Sequence, residues 1–408
     1  MNKNIHVGII GGGAAGFFSA ISVKEHFPNY KVTIFEKSAK VLAKVKISGG
    51  GRCNVTNACF DNKELASFYP RGGAFLRKAF EQFNSKSTMD WFTERNVPLD
   101  VLAENCVFPK SNQSQSIIDC FLKEASQKNI DIKMQSGIHE IQILEDNTFL
   151  LKSLTEEYQV DKVIVTTGGH PKRISLEWLE KLGHSIVDPL PSLFTFNMPS
   201  NPICALMGNV VEECTVKIEG TKLIGKGPLL VTHWGMSGPA ILKLSAWGAR
   251  ILAEKNYKFS VLVNWLNERK EDDVRNEILA IIEKHGAKMV SNLNPFPMTN
   301  RLWIFLLEKT EINPERRWNE VGKKGINKLV NTLLNDRYVV DGKTTFKEEF
   351  VTAGGVSLEQ VDSSSMESKV VNGLFFAGEV LDIDGVTGGF SFQAAWTTGY
   401  IAGKSVGI

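Results

Sequence analysis

The sequence predicts an α/β protein whose parallel β-sheet is built from both ends of the chain and is interrupted by two insertions. Three observations support this prediction. An apolar strand, a glycine-rich turn and a helix stand at residues 5–27, and a second strand with a glycine-rich turn follows residue 373. Between about 189 and 346 the pattern changes to short β-like runs and then to charged helices. With 408 residues, the chain is long enough for two or three domains.

The first strand, residues 5–10, runs directly into Gly11-Gly12-Gly13-Ala14-Ala15-Gly16, a G-x-G-x-x-G turn that opens a helix ending before Pro28. In such a turn the glycines allow a sharp bend, a close approach to a pyrophosphate and tight packing of helix on sheet. The next strand, residues 31–35, ends at Glu36, whose carboxylate would accept hydrogen bonds from a ribose diol. This order of elements predicts a dinucleotide site, and a Glu favours a free ribose over a 2′-phosphate.

Composition limits the classes of function. Hydrophobic residues make up 43% and charged residues 23% of the chain, as is typical of soluble globular proteins. The 47 Lys and Arg balance 45 Asp and Glu, so we expect neither nucleic acid nor a membrane surface as a partner. We expect no membrane span, and no signal peptide before the strand at residue 5. The six cysteines form no C-x-x-C pair, which favours free thiols, a cytoplasmic location and no bound metal.

The remaining segments before the insertions are a glycine cluster and alternating helical and strand-like patterns. They comprise Ser48-Gly49-Gly50-Gly51-Arg52-Cys53-Asn54, helical spacing over 74–96 and 114–128, and strand-like segments over 138–151 and 158–167. From these patterns we predict a discontinuous dinucleotide domain, a β-rich insertion and a helical insertion that returns to the β-rich one. Their bounds are 1–188 with 347–408, then 189–266, then 267–346.

The returning C-terminal segment indicates which dinucleotide is bound. Residues 373–379 form a strand that ends in Gly378-Glu379, where the acid could bind ribityl hydroxyls, and residues 385–396 form a glycine-rich loop that opens a helix. The N-terminus of that helix would stabilise negative charge on a reduced flavin ring. A nicotinamide dinucleotide needs no such remote segment, whereas the long arm of a flavin dinucleotide is usually held from a second side. We therefore predict non-covalently bound FAD.

The sequence resembles the BaiN-like (bile-acid-inducible N) NAD(P)/FAD-dependent oxidoreductases, a bacterial family also described as conserved flavoproteins or as aminoacetone-oxidase-like FAD-binding enzymes. The resemblance rests on ordered blocks along the whole chain, namely Val7–Gly16, Lys46–Asn57, Val107–Ser111, Thr232–Pro239, Thr352–Val356 and Gly373–Gly399. It implies a glutathione-reductase-like FAD-binding Rossmann domain with an inserted β-barrel domain and a small helical domain. It also implies that Ser48–Asn54 lies along the flavin. After Gly169 the family usually continues with a Ser-Thr-Gly-Asp-Gly-like stretch, and here His170–Ser175 replaces it.

The motifs and the resemblance together predict the residues that bind FAD. These are Gly11, Gly13, Ala14, Ala15, Gly16, Glu36, Lys37, Ser48, Gly49, Gly50, Arg52, Cys53, Asn54, Thr167, Gly168, Gly169, Gly378, Glu379, Gly388, Gly389, Phe390 and Gln393. No catalytic residue is assigned, and the two candidates are Arg52 and His233. Arg52 would support negative charge on the flavin or on an anionic substrate, or else pair with the pyrophosphate or a structural carboxylate. His233 would act as an acid or base, or else be a buried histidine that holds a turn.

The predicted function is hydride transfer between flavin N5 and a small or medium apolar substrate. By the resemblance, the reaction is the NAD(P)H-driven reduction of a carbon–carbon double bond conjugated to a carbonyl, as in 3-oxo-steroid-like bile acid intermediates. The alternatives are an FAD-dependent oxidase of amines such as aminoacetone, an RNA-binding or RNA-modifying flavoprotein, and a non-catalytic FAD-binding protein. The chain has no second G-x-G-x-x-G motif, so NAD(P)H is expected only as a transient co-substrate. The sequence makes no prediction of the oligomeric state.

Overall fold

The computed structural model describes residues 5–345 and 351–407. The chain folds into two compact units, Met1–Ser192 with Lys347–Ile408, and Leu193–Phe346. The first unit therefore continues to Ser192, beyond the boundary predicted at residue 188. The reason is a strand that ends at Ser192 and pairs with another strand of the same unit.

The strands are numbered in chain order. They are β1 (His6–Ile10), β2 (Lys31–Phe35), β3 (Thr56–Asn57), β4 (Leu99–Val101), β5 (Cys106–Pro109), β6 (Asp131–Lys133), β7 (Glu140–Ile143), β8 (Phe149–Lys152), β9 (Glu157–Val160), β10 (Lys162–Val165), β11 (Ile186–Ser192), β12 (Thr195–Asn197), β13 (Val210–Ile218), β14 (Ile224–Thr232), β15 (Gly235–Ser237), β16 (Lys258–Asn264), β17 (Asp336–Asp341), β18 (Lys343–Thr344), β19 (Val351–Val356) and β20 (Leu374–Phe376).

The α-helices are numbered in the same way, and short 3₁₀ turns lie between some of them. They are α1 (Ala14–His26), α2 (Ala43–Gly51), α3 (Asn62–Ala66), α4 (Gly73–Ala79), α5 (Ser85–Glu94), α6 (Gln115–Gln127), α7 (Glu177–Glu180), α8 (Pro239–Glu254), α9 (Glu271–His285), α10 (Asn300–Lys309), α11 (Gly322–Asn335) and α12 (Phe390–Ser405).

The first unit is organised around a parallel sheet with the order β20–β10–β1–β2–β6. In its centre Ile9 of β1 lies opposite Ile34 of β2 and Ile164 of β10, and all three side chains are fully buried. Successive residues of β1, Val7 to Ile10, are buried as well, so both faces of the sheet are covered, as is expected of a parallel sheet packed against helices. Because β20 comes from the C-terminal part of the chain and pairs with β10, the sheet is completed only when the chain returns from the second unit.

Helices α1 and α12 bring the two ends of the chain together within the first unit. A Cβ on Gly399 would lie 2.9 Å from the carbonyl oxygen of Ala15, and a Cβ on Gly403 would lie 2.5 Å from that of Ser19. The two glycines of α12 therefore allow the helix backbones to approach closely. Trp396 on α12 is fully buried, and its ring centroid lies 5.5 Å from that of Phe18 on α1.

Three smaller sheets complete the first unit. β3–β5–β4 and β7–β8–β9 are antiparallel, and β11 pairs antiparallel with β19. The helical spacing over 74–96 forms two helices, α4 and α5, because the Asn84 side chain accepts a hydrogen bond from Ser87 N and caps a new helix. The strand-like segment 158–167 likewise divides into β9 and β10, which belong to different sheets.

The second unit contains an antiparallel sheet with the order β17–β16–β13–β14–β15–β12–β18. β17 and β18 lie at opposite ends of this order, although only Gly342 separates them in the chain. The sheet must therefore curve strongly so that its two ends meet. Helices α9, α10 and α11 follow β16, and their apolar side chains belong to the same core as the sheet, including the fully buried Trp303 and Trp318.

Candidate functional site in the first unit

The turn between β1 and α1 needs glycine for two different physical reasons. Gly11 has a φ of +116°, and a Cβ there would lie 2.4 Å from the carbonyl oxygen of Thr166. A Cβ on Gly16 would lie 1.9 Å from the carbonyl oxygen of Gly11. Gly13 differs, because its φ is −92° and a Cβ would meet no heavy atom within 4 Å beyond its chain neighbours. Its missing side chain leaves space beside the N-terminus of α1, where dinucleotide folds bind a pyrophosphate.

Glu36 lies at the end of β2 and faces the same turn. Its Oε2 accepts a hydrogen bond from Gly12 N at 2.8 Å, and its Oε1 accepts from Ser38 N and Ser38 Oγ, both at 2.8 Å. The carboxylate is thus held in a fixed orientation by the backbone of the turn. A carboxylate oxygen has two acceptor sites, so Oε2, which accepts one hydrogen bond here, retains the capacity to accept a second from a ribose hydroxyl.

A cavity of about 370 Å³ opens in front of Glu36, which is within the range of roughly 300–1,000 Å³ that is typical of ligand pockets. Gly11, Lys37 and Thr167, all predicted as cofactor-binding residues, line it as well. The cavity is also lined by residues that no sequence motif indicated, namely 137–139 and His170, Ile174, Ser175, Glu177, Trp178 and Lys181.

We expect Glu36→Ala to weaken FAD binding by about 1.5–3 kcal/mol, because a charge-assisted hydrogen bond to the ribose is lost. At the upper end this is roughly a hundredfold. Glu36→Gln retains one oxygen acceptor for the backbone of the turn and should have a smaller effect. Titration of each apoprotein with FAD measures both affinities. An unchanged affinity of the Ala variant would place the ribose contact elsewhere.

The segment Ser48–Asn54 begins in the last turn of α2, where the helical path breaks. Gly49, Gly50 and Gly51 have φ values of +58°, +67° and +84°, a region that favours glycine. Cys53 follows with a φ of +64° and is fully buried. Burial raises the pKa of the Cys53 thiol to about 12, so this cysteine is a packed, unreactive residue rather than a redox group.

Two asparagines connect this segment to the glycine-rich loop before α12. With its amide turned so that both polar atoms are satisfied, Asn54 donates to Val107 O at 3.2 Å and accepts from Gly389 N at 3.2 Å. The Asn57 amide donates to Gly388 O at 3.3 Å and to Glu104 O at 3.0 Å. The structure therefore brings together two predicted cofactor-binding segments that lie more than 300 residues apart in the chain.

Arg52 is exposed, and its guanidinium lies over the ring of Phe108 at 4.4 Å from the centroid. Its Nε donates to Gly49 O at 3.2 Å. Among residues 5–345 and 351–407, no carboxylate lies within ion-pair distance of Arg52, so pairing with a structural carboxylate does not explain it. The cation is accessible at the surface of the glycine segment.

Glu379 lies where the ends of β10, β19 and β20 come together. Its Oε1 accepts a hydrogen bond from Thr352 N at 2.8 Å, and its Oε2 forms an ion pair with Lys44 Nζ at 2.8 Å. A Cβ on Gly169 would lie 2.6 Å from both Glu379 Oε1 and Thr352 Oγ1. Gly168 next to it has a φ of +75° and open space around it. The predicted pair Gly168-Gly169 thus lets the backbone pass beside Glu379.

His170 lies close to this group. Its Nε2 is 3.2 Å from Thr167 Oγ1. Burial, together with the charge of Lys37, lowers the pKa of the His170 imidazole to about 4, and Glu379 acts in the opposite direction. The imidazole is therefore neutral at physiological pH and can both donate and accept a hydrogen bond.

Three residues that were predicted to bind FAD have buried side chains. Gln393 is fully buried, and its amide bonds to Thr56, Thr88 and Thr397. The Phe390 ring is buried and stacks on Phe68 with 4.5 Å between ring centroids. Ala15 lies in the first turn of α1, and its Cβ is 2.8 Å from the position that a Cβ on Gly378 would occupy. All three side chains are buried and packed within the first unit.

A buried ion pair that no sequence motif predicted lies beside the glycine-rich loop. Asp384 has a fully buried side chain and accepts hydrogen bonds from Arg71 Nε and Nη2, and from Ser192 Oγ at 2.6 Å. Burial raises the pKa of the Asp384 carboxyl, whereas Arg71 and Ser192 lower it. No local pattern relates Arg71 to Asp384, because 313 residues separate them.

His233, the second catalytic candidate, lies in the second unit at the turn between β14 and β15. Its side chain is exposed, with its ring 4.4 Å from that of Trp234. The alternative of a buried histidine that holds the turn is therefore wrong. The role of His233 as an acid or base stays a prediction.

The site residues fit FAD on two observations. The space beside Gly13 is one that a Cβ would fill, as close approach of a pyrophosphate requires. Thr352 Oγ1 is buried and has no hydrogen-bond partner among the residues that the structure describes, although it lies beside Glu379 and Gly169. Buried polar groups are usually satisfied, so a ligand hydroxyl that approached Thr352 Oγ1 would supply the partner that this group lacks.

The sheet, the turn and the returning C-terminal segment define a class of protein, a Rossmann-type α/β flavoprotein that binds FAD. The chain belongs to the HI0933-like family, since residues 5–405 match the family described as "HI0933-like protein Rossmann domain". It is an FAD-dependent oxidoreductase.

Two kinds of curated protein are similar to the chain over nearly their whole length. The 3-dehydro-bile acid Δ(4,6)-reductase of Clostridium scindens is 24% identical over 408 residues, covering 98% of each protein. The ribosomal RNA dihydrouridine synthase of Haemophilus influenzae is 26% identical over 412 residues, covering 98% of this chain and 97% of that protein. The resemblance to the BaiN-like family is confirmed.

The chain is also similar in fold to solved flavoenzyme structures. The 3-ketosteroid-Δ4-(5α)-dehydrogenase of Rhodococcus jostii RHA1 superposes with a TM-score of 0.52 at 11% identity, covering 99% of this chain and 97% of that chain. At such low identity this similarity indicates a shared fold and nothing finer. In the described part of the chain, no helix has the length and apolar character that a bilayer crossing requires.

The surface around the glycine segment is basic. Between Glu36 and Asp61 the chain carries five basic residues, Lys37, Lys40, Lys44, Lys46 and Arg52, and no acidic one. All five side chains are exposed. The near-neutral composition had indicated no such cluster, because the acidic residues that balance it lie elsewhere in the chain.

Proposed function

We propose that the protein reduces a carbon–carbon double bond conjugated to a carbonyl in a small or medium apolar molecule of the 3-oxo-steroid type, with NAD(P)H as the reductant. The observation that carries this proposal is the full-length similarity to a 3-dehydro-bile acid Δ(4,6)-reductase. In such a reaction NAD(P)H loses a hydride, the carbon β to the carbonyl gains one, and the α carbon gains a proton. FAD, when bound, supplies the hydride-transfer chemistry.

The roles proposed for this chain's residues follow from the geometry of the first unit. Glu36, with both oxygens already oriented by the turn, binds the ribose of FAD, and Gly13 admits the pyrophosphate. Glu379 and Thr352 bind ribityl hydroxyls. Arg52 is an exposed cation on the glycine segment, and it stabilises negative charge on the flavin or binds an anionic group of the substrate.

The ribosomal RNA dihydrouridine synthases among the relatives favour a second candidate function. Dihydrouridine is uridine reduced at a double bond that is conjugated to a carbonyl, so the chemistry is of the same type as in the first proposal. The exposed basic segment from Lys37 to Arg52 is the surface on this chain that would attract a phosphate backbone. The two candidates therefore differ in substrate size and charge rather than in reaction type.

Anaerobic rapid mixing of the purified holoenzyme tests both candidates. NADH or NADPH should bleach the flavin absorbance, and a 3-oxo-4-ene steroid should restore it with formation of the dihydro product. Restoration by a uridine-containing ribosomal RNA transcript, but not by the steroid, would select the second candidate. Bleaching by aminoacetone, with reoxidation only by oxygen, would favour the amine oxidase that the sequence left open and would contradict both proposals.

We further propose that the second unit is a β-barrel with a helical subdomain. Its sheet has β17 and β18 at opposite ends, and Gly342 between them accepts a hydrogen bond from Asn197 N at 3.1 Å and donates one to Tyr257 O at 2.9 Å. These bonds join both ends of the sheet at one point, as closure into a barrel requires. Helices α9–α11 lie between β16 and β17 in the chain and form the helical part.

A further inference from the structure

One wall of the cavity in front of Glu36 comes from a segment that begins with His170–Ser175, where this chain departs from its family. The segment follows β10 and comprises residues 170–181, including α7. His170, Ile174, Trp178 and Lys181 from it line the cavity together with Glu36. Ile10 and Phe35, at the ends of two parallel strands, line the cavity as well. A ligand that reaches Glu36 therefore lies beside residues that the family motif does not supply.

Trp178 is the aromatic residue of this wall. Its indole is half-buried, and Nε1 donates a hydrogen bond to Ser175 O at 3.1 Å. That bond satisfies the one donor of the indole and restricts its rotation, so the ring offers the cavity its aromatic surface rather than a hydrogen bond. Ile174 nearby is 67% exposed, and an apolar side chain at the rim of a cavity gains stability when a ligand covers it.

We propose that residues 170–181 form the adenine-binding wall of the site and that Trp178 is its stacking residue. The inference rests on the proposed binding of FAD, and it extends that proposal to residues of this chain that no motif assigns. In FAD the adenine is joined directly to the ribose that Glu36 is placed to bind, so the base must lie in the same cavity. A flat, uncharged purine fits a wall that combines an indole, an exposed isoleucine and a neutral imidazole.

The neutral state of His170 supports this assignment. Its imidazole is kept neutral by burial, and the groups that act on it are Lys37, Lys44 and Glu379. A neutral imidazole beside Thr167 Oγ1 avoids placing a buried positive charge next to the base. The charged residues of this segment that line the cavity, Glu177 and Lys181, are exposed and can remain in solvent.

The test compares Trp178→Leu with Trp178→Phe, since leucine retains apolar bulk without an aromatic face and phenylalanine retains the face. Trp247→Leu is the matched control, because Trp247 is 45% exposed in α8 of the second unit. Each apoprotein is titrated with FAD, and thermal unfolding of the apoproteins checks that all variants fold. Quenching of tryptophan fluorescence by FAD is recorded in parallel.

We expect Trp178→Leu to bind FAD at least about fivefold more weakly, since base–aromatic stacking contributes roughly 1–3 kcal/mol. Trp178→Phe should remain near the wild type, and both Trp178 variants should lose a part of the fluorescence quenching that Trp247→Leu retains. Equal FAD affinity in all variants, or an equal loss with Leu and Phe, would overturn the proposal. Failure of the wild-type apoprotein to bind FAD would instead contradict the proposed function.

Discussion

Replacing Gly13 with valine should abolish FAD binding and leave the apoprotein folded. A Cβ at this position meets no heavy atom within 4 Å, and the φ of −92° is one that valine readily adopts. The added methyl groups would occupy the space that a pyrophosphate needs. We expect FAD affinity to fall at least about a hundredfold, which corresponds to ~2.7 kcal/mol. The free energy of unfolding should fall by less than about 1 kcal/mol, because valine is a poorer N-cap than glycine.

Two companion variants make this result specific. Gly13→Thr has the same bulk as valine but is a better N-cap, so it should bind FAD as poorly and be as stable as the wild type. Gly16→Ala should instead lower the stability of the apoprotein, since its Cβ would lie 1.9 Å from the carbonyl oxygen of Gly11. We expect the free energy of unfolding to fall by about 1–3 kcal/mol or more. FAD titration and urea unfolding of the apoproteins separate the two effects. Wild-type FAD affinity in Gly13→Val would place the pyrophosphate elsewhere.

Removing the carboxylate of Asp384 should be among the most destabilising substitutions in the first unit. Its side chain is fully buried, and that of Arg71 is only 12% exposed. Asp384→Ala leaves the guanidinium without this carboxylate, and loss of one partner of a buried ion pair costs about 3–5 kcal/mol. The variant should also retain FAD less tightly, because Asp384 begins the loop whose Gly388 and Gly389 bond to Asn57 and Asn54.

A double-mutant cycle measures the pair itself. The double variant Arg71→Met/Asp384→Ala removes both charges and should recover part of the stability that Asp384→Ala loses, with Arg71→Met as the other single variant of the cycle. We expect a coupling free energy of about 1–3 kcal/mol from urea unfolding. The exposed pair Lys86–Asp90, with side chains 67% and 56% exposed, is the control and should show only about 0.3–0.5 kcal/mol. Similar coupling energies for the two pairs would mean that Arg71 and Asp384 act independently.

The sequence predicted correctly those features that depend on a few neighbouring residues. The strand–turn–helix at Gly11–Gly16 is confirmed as part of a Rossmann-type fold, because its glycines satisfy local backbone requirements. Glu36 stands at the end of β2 for the same reason, since strand length and turn position fix where a terminal acid projects. The returning strand at residue 374 was also recognisable, because its apolar run ends in a glycine-rich turn.

Features that join distant segments had no signal in the sequence. The Arg71–Asp384 pair and the bonds from Asn54 and Asn57 to the loop before α12 depend on how α4, β3 and the C-terminal segment meet. Composition likewise concealed the basic surface around α2, since a net charge of +2 averages over the whole chain. The exposure of His233 depended on a turn geometry that a four-residue motif does not specify.

The sequence alone establishes a turn typical of dinucleotide binding, an acidic residue placed to bind a ribose, and a C-terminal strand that returns to the sheet. Each of these arises from contacts between near neighbours in the chain. The order β20–β10–β1–β2–β6, the cavity wall that carries Trp178 and the ion pair behind the glycine-rich loop arise only when segments far apart in the chain pack together. The stability of these features depends on burial and on how well side chains from distant segments fit together. For this reason they appear in the folded molecule and in no local pattern of the sequence.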